Sequence, residues 1–134
     1  NDVAQLEQIS QLVSRKEAVE LFDFDGDFPR VLELMSRSRA VVGMRLHSLI
    51  AASLSHTPFI GLSYSEKVRR FGKQVEMEDF VVDWPDFSLD DLKSRFGQLL
   101  KEWDDLSERI DQEVMQQRKK TLQHEDFLRD FGMD

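Results

Sequence analysis

The chain has 134 residues, 40% of them hydrophobic with ten Phe and two Trp, which suits one domain with an ordinary core. Its 26 acidic and 18 basic residues leave a net charge of −8, which argues against nucleic acid or an acidic membrane as the main partner. The lack of cysteine excludes disulfide frameworks and thiol chemistry and permits a reducing cytoplasm, and no apolar run reaches the roughly 18 residues of a membrane span.

Val3, Leu6, Ile9, Leu12 and Val13 form a helical stripe, with Asp2 as its N-cap. Ala18 to Phe22 reads as a strand. Asp23, Asp25 and Asp27 alternate after it, as in a calcium loop. Phe28 and Leu34 stand where that loop needs Gly and Glu, so a solvated loop is expected and no metal is assigned. Pro29 suits the first turn of a helix whose buried side is Val31, Leu32, Leu34 and Met35. Ala40 to Val42, closed by Gly43, reads as a buried strand. Leu46, Leu49, Ile50 and Leu54 then recur at helical spacing. Pro58 to Leu62 is a second buried strand, and another helix opens after Ser63 or Ser65.

Asp79 to Asp83 is the last expected strand, and Trp84, Pro85 and Asp86 a turn. Ser88 caps a helix, with Asp91 three residues on. Leu92, Phe96, Leu99, Leu100, Trp103, Leu106, Ile110 and Val114 predict one or two long helices, with breaks near Gly97 and Ser107. Phe127, Leu128 and Phe131 are expected to dock a last helical turn, and His56 and His124 to be surface residues. The fold class expected is α/β: a Rossmann-like parallel sheet of four to five strands flanked by helices. Residues 1–97 form that lobe, and residues 98–134 a helical extension of the same domain.

Polar residues gather where each central strand hands over to its helix: Arg45, His47 and Ser48 at the first, Tyr64, Ser65 and Lys67 at the second. In open α/β sheets ligands bind at the carboxyl ends of strands, and helix starts offer free N–H groups to anions. The arginine fork suits a carboxylate or phosphate. On a helix, Arg45 and His47 would point about 200° apart. They share a ligand only if Arg45 precedes the first helical turn.

These residues resemble a known family. Gly43-Met-Arg45-Leu-His47-Ser-Leu-Ile-Ala-Ala, then Pro58-Phe-Ile-Gly61-Leu-Ser-Tyr64, then Lys67, Val68 and Phe71, look like the second half of polysaccharide pyruvyl transferases. The resemblance is dense over Arg39 to Phe71 and thinner from Leu6 to Leu100. It implies a two-lobed, GT-B-like enzyme. Such an enzyme moves an enolpyruvyl group from phosphoenolpyruvate to a sugar of a cell-surface glycan and leaves a pyruvate ketal. It further implies that Arg45 and His47 lie in the phosphoenolpyruvate pocket and carry the catalysis, with Ser48 and Tyr64 lining it and Lys67 on the phosphate. His47 would supply or relay a proton. No cofactor is implied beyond phosphoenolpyruvate as donor substrate.

The chain departs from the family in having Ser65-Glu66 where Asp-Pro usually precedes the lysine; both pairs suit a helix start. The Gly-rich Asn/Asp motif of the other lobe is absent. That absence, and a first residue other than Met, read as a C-terminal half whose N-terminal lobe is missing. The partners implied are phosphoenolpyruvate, a glycan or lipid-linked saccharide acceptor, and that missing lobe. The place implied is the cytoplasm, at or near the inner face of the membrane. In such an enzyme the terminal helix crosses to the other lobe, so exposed apolar area at Trp103, Leu106, Ile110 and Val114, or self-association through it, is expected. Two other readings stay open: a GT-B glycosyltransferase lobe using a nucleotide sugar, and a non-catalytic binding module.

Overall fold

The computed structural model describes residues 2–130, with side chains described for residues 3–123. The roles expected of Asp2, His124, Phe127, Leu128 and Phe131 as side chains lie outside the described residues. Helix α1 (Asp2–Leu12) is followed by a short 3₁₀ turn and helix α2 (Phe28–Ser36). Strands β1 (Val41–Gly43), β2 (Phe59–Ser63) and β3 (Val81–Asp83) alternate with helices α3 (Leu46–Leu54) and α4 (Glu66–Gln74). Helices α5 (Leu89–Lys101) and α6 (Trp103–Asp130) close the chain. The sheet has the order β1-β2-β3 and both pairings are parallel, with Gly43 opposite Gly61 and Ser63 opposite Asp83. The chain is thus an α/β domain of Rossmann-like type.

The core lies between this sheet and its helices. Leu49 of α3, Phe59 and Ile60 of β2, Val68 of α4, Leu99 of α5, and Leu106 and Ile110 of α6 are fully or almost fully buried. Each such aliphatic or aromatic side chain contributes about 1.5–3 kcal/mol on burial. Phe59 stacks on Phe71 of α4 with ring centroids 6.0 Å apart. Two glycines let the layers approach. A Cβ on Gly43 would collide with Ser48 Oγ, and one on Gly72 with Val81 Cγ2. Side-chain caps set two helix starts: Asp27 accepts from the Arg30 N–H, and Ser88 from the Asp91 N–H.

Several expectations are corrected. Ala18 to Phe22 is not a strand, and the sheet has three strands among the described residues, not four or five. Lys16–Ala18 is a 3₁₀ turn. The next residues stay largely exposed among Glu17, Glu20 and Asp23, and the Phe22 ring lies 5.0 Å below the Arg30 guanidinium. That ring is held by α2 rather than by the sheet. Val42 of β1 is 52% exposed, because it points to the face opposite Gly43 at the sheet's edge. Leu34 is exposed on α2, and the inward side of that helix, Val31, Leu32 and Met35, is half-buried rather than buried. The break between the last two helices falls at Glu102, not at Gly97 or Ser107. Asp25 accepts from the Asp27 N–H and faces Arg30 at 3.6 Å, so the acidic alternation serves as loop and cap.

The tail differs most. Leu106 and Ile110 are fully buried, and Trp103 and Val114 partly so. Helix α6 packs on α3 and α5 of its own domain. Trp103 Nε1–H donates to the Arg39 carbonyl at 2.7 Å, and Ser107 Oγ–H to the His56 carbonyl at 2.7 Å. His56 Nδ1 lies 3.0 Å from Asp111. These contacts hold α6 to the chain just before β1 and to the end of α3. The apolar stripe is therefore not waiting for a partner at these four positions.

Candidate functional site

Parallel pairing of β1 and β2 in register brings their carboxyl ends side by side, about 4.8 Å apart. Each end feeds directly into a helix. Arg45 is the N-cap of α3, with extended backbone at φ −89° and ψ 136°. It precedes the first helical turn, which is the condition for Arg45 and His47 to share a ligand. His47 stands in the first turn, and both side chains are exposed. Neither has a hydrogen-bond or ion-pair partner among the described residues.

Ser48 has a structural task. Its hydroxyl donates to the Arg45 carbonyl at 2.6 Å and sits against Gly43. It fixes the start of α3 and retains lone pairs for a further donor. Across the sheet edge, Ser63 Oγ–H donates to the Ser65 carbonyl at 2.9 Å, and Ser65 is the N-cap of α4. Tyr64 is 58% exposed, so its ring is not part of the core. Lys67 lies in the first turn of α4, exposed and without an ion-pair partner among the described residues. Arg45, His47, Tyr64 and Lys67 are thus set around two helix starts at one sheet edge, a place suited to an anion. Next to the lysine, Glu66 faces Arg70 at 3.9 Å.

The model of the family described as polysaccharide pyruvyl transferase matches residues 4–66. That segment, just under half of the chain, is similar to the polysaccharide pyruvyl transferase family. No curated protein and no solved structure matches the chain. The family match lies in the first half of this chain and takes in Arg45, His47, Ser48 and Tyr64. It ends before Lys67, Val68 and Phe71, and before the thinner resemblance reaching Leu100. The similarity is to transferases acting in polysaccharide chemistry. No helix of the described residues is long and apolar enough to cross a membrane.

One feature of the chain was not read from the sequence. A groove of about 660 Å³ runs between α3, α4 and the second half of α6. Apolar side chains form its walls, and Lys67, Arg70 and Arg118 are its charged residues. Lys67 and Arg70 are three residues apart on one helix and so share a face, which was a usable signal. Arg118 comes from a helix whose path no local pattern reveals.

Proposed function

We propose that the chain is the C-terminal lobe of a polysaccharide pyruvyl transferase, moving an enolpyruvyl group from phosphoenolpyruvate to a glycan sugar as a pyruvate ketal. The observation that carries this reading is the position of Arg45 at the N-cap of α3, beside the start of α4, within the segment that matches the family.

The reaction protonates the methylene carbon of phosphoenolpyruvate, develops positive charge at the adjacent carbon, admits a sugar hydroxyl and expels phosphate. A protein that catalyses it must hold a carboxylate and a phosphate and supply an acid and a base. In this proposal Arg45 takes one anionic group through its planar fork. Lys67 and the free N–H groups of α4 take the other. His47, whose imidazole can both give and take a proton, serves as acid or relay. Ser48 positions Arg45, and Tyr64 borders the pocket. The acceptor, a glycan or lipid-linked saccharide, lies mainly on the other lobe, and the reaction runs at the cytoplasmic side of the membrane. The test is phosphate release by the two-lobed protein with phosphoenolpyruvate and an acceptor glycan. Release that depends on both substrates supports the proposal. Turnover of a nucleotide sugar with no response to phosphoenolpyruvate assigns the lobe to a glycosyltransferase, and binding of phosphoenolpyruvate without turnover to a non-catalytic module.

A further inference from the structure

We propose that the groove between α3, α4 and α6 binds a single-chain anionic amphiphile, its hydrocarbon along the helix walls and its head on Arg118, Arg70 and Lys67. The groove's volume of about 660 Å³ is that of a small-molecule site. Ile50, Leu54, Phe71, Val114 and Leu122 supply apolar walls, and Leu54 and Leu122 remain 43% and 54% exposed. Each methylene that such walls take from water strengthens binding by about fourfold.

The charge is equally selective. Among the described residues the lining carries three cations and no carboxylate, on a chain whose net charge is −8. Lys67 and Arg118 have no ion-pair partner among the described residues, and Arg70 has Glu66 only at 3.9 Å. A separate groove at the start of α6 has the opposite character, with Glu102, Asp105 and Glu108 against Arg109. The basic lining is therefore local to the apolar groove. Apolar walls beside two cations without an ion-pair partner among the described residues, and a third held only loosely, select a ligand that is both greasy and negative. A second copy of this acidic chain is disfavoured by its own charge. The inference rests on this lining and not on the phosphoenolpyruvate reading; Lys67 borders both sites, and the variants below are at residues of the groove alone.

The test is calorimetric titration of the chain with dodecyl phosphate below its micellar concentration, alongside inorganic phosphate and dodecyl maltoside. One-to-one binding of dodecyl phosphate is expected, with inorganic phosphate and the neutral maltoside each at least about tenfold weaker. Arg118→Glu and Leu122→Asp should each weaken it by about tenfold or more, through the lost charge-assisted contact and the lost apolar wall. Both residues are exposed, so the variants should melt with the parent. Equal binding of inorganic phosphate, equal binding of the maltoside, or indifference to both variants overturns the proposal. So does a dimer in sedimentation that Leu122→Asp dissociates and dodecyl phosphate does not, which would give the groove to a second copy.

Discussion

Gly43→Ala tests how the sheet fixes the start of α3, and with it Arg45. A Cβ built on Gly43 collides with Ser48 Oγ, lies 3.0 Å from Leu49 Cδ2 and 3.4 Å from Ser48 Cβ. Leu49 is fully buried and cannot retreat without disturbing the core. Ser48 is tied by its hydroxyl to the Arg45 carbonyl. Overpacking of this kind costs about 1–3 kcal/mol. Losing the glycine's freedom in the unfolded chain returns about 0.4–1 kcal/mol, since Gly43 lies in a strand without a positive φ. A net loss of about 1–2 kcal/mol is expected. Ser48→Ala alone removes one hydrogen bond and should cost about 0.5–1.5 kcal/mol. It also vacates the space the new methyl needs. The double variant should therefore be more stable than the two single losses summed, by at least about 0.5 kcal/mol. Urea unfolding of the four proteins, analysed by linear extrapolation, measures this cycle. A neutral Gly43→Ala, or strict additivity, would refute the reasoning.

Ile110→Ala should destabilise the chain by about 2–5 kcal/mol, because the side chain is fully buried where α6 joins the core; a loss below about 1 kcal/mol in urea would mean that α6 is not docked. Trp103 should resist acrylamide quenching better than Trp84, which is 48% exposed, and equal quenching would contradict the bond from Trp103 to the Arg39 carbonyl. Lys67→Ala should weaken phosphoenolpyruvate binding less than Arg45→Ala does, since an ammonium makes a less directional contact; the reverse order in calorimetry would move the main anion contact to α4. His47→Ala should lower turnover more than binding if the imidazole handles a proton, and an unchanged rate of phosphate release would remove that role.

The central part of the fold was legible because local signals agreed there. Val41 to Gly43 and Phe59 to Ser63 are short apolar runs ending at polar handovers, and Leu46, Leu49 and Ile50 have helical spacing. Strand and helix periods differ enough to separate these segments. Ala18 to Phe22 carries similar local propensity but stays outside the sheet, since pairing is decided by what lies at the β1 edge. The helix break at Glu102 was also hidden: Gly97 weakens a helix without ending it, and α5 runs through it. The placement of Arg45, His47, Tyr64 and Lys67 at strand ends was readable, since chain order in a parallel α/β unit fixes that edge. The docking of Leu106 and Ile110 was not, because an apolar stripe shows that a helix needs a partner and does not say which one.

The most direct test of the proposed function is calorimetric titration of phosphoenolpyruvate into the protein and its Arg45→Ala variant. In the proposed site, a charge-assisted contact from Arg45 would be worth on the order of 1.5–3 kcal/mol. The variant should therefore bind about ten- to a hundredfold more weakly, with an unchanged melting temperature. Equal binding by parent and variant would place the donor site elsewhere and contradict the account.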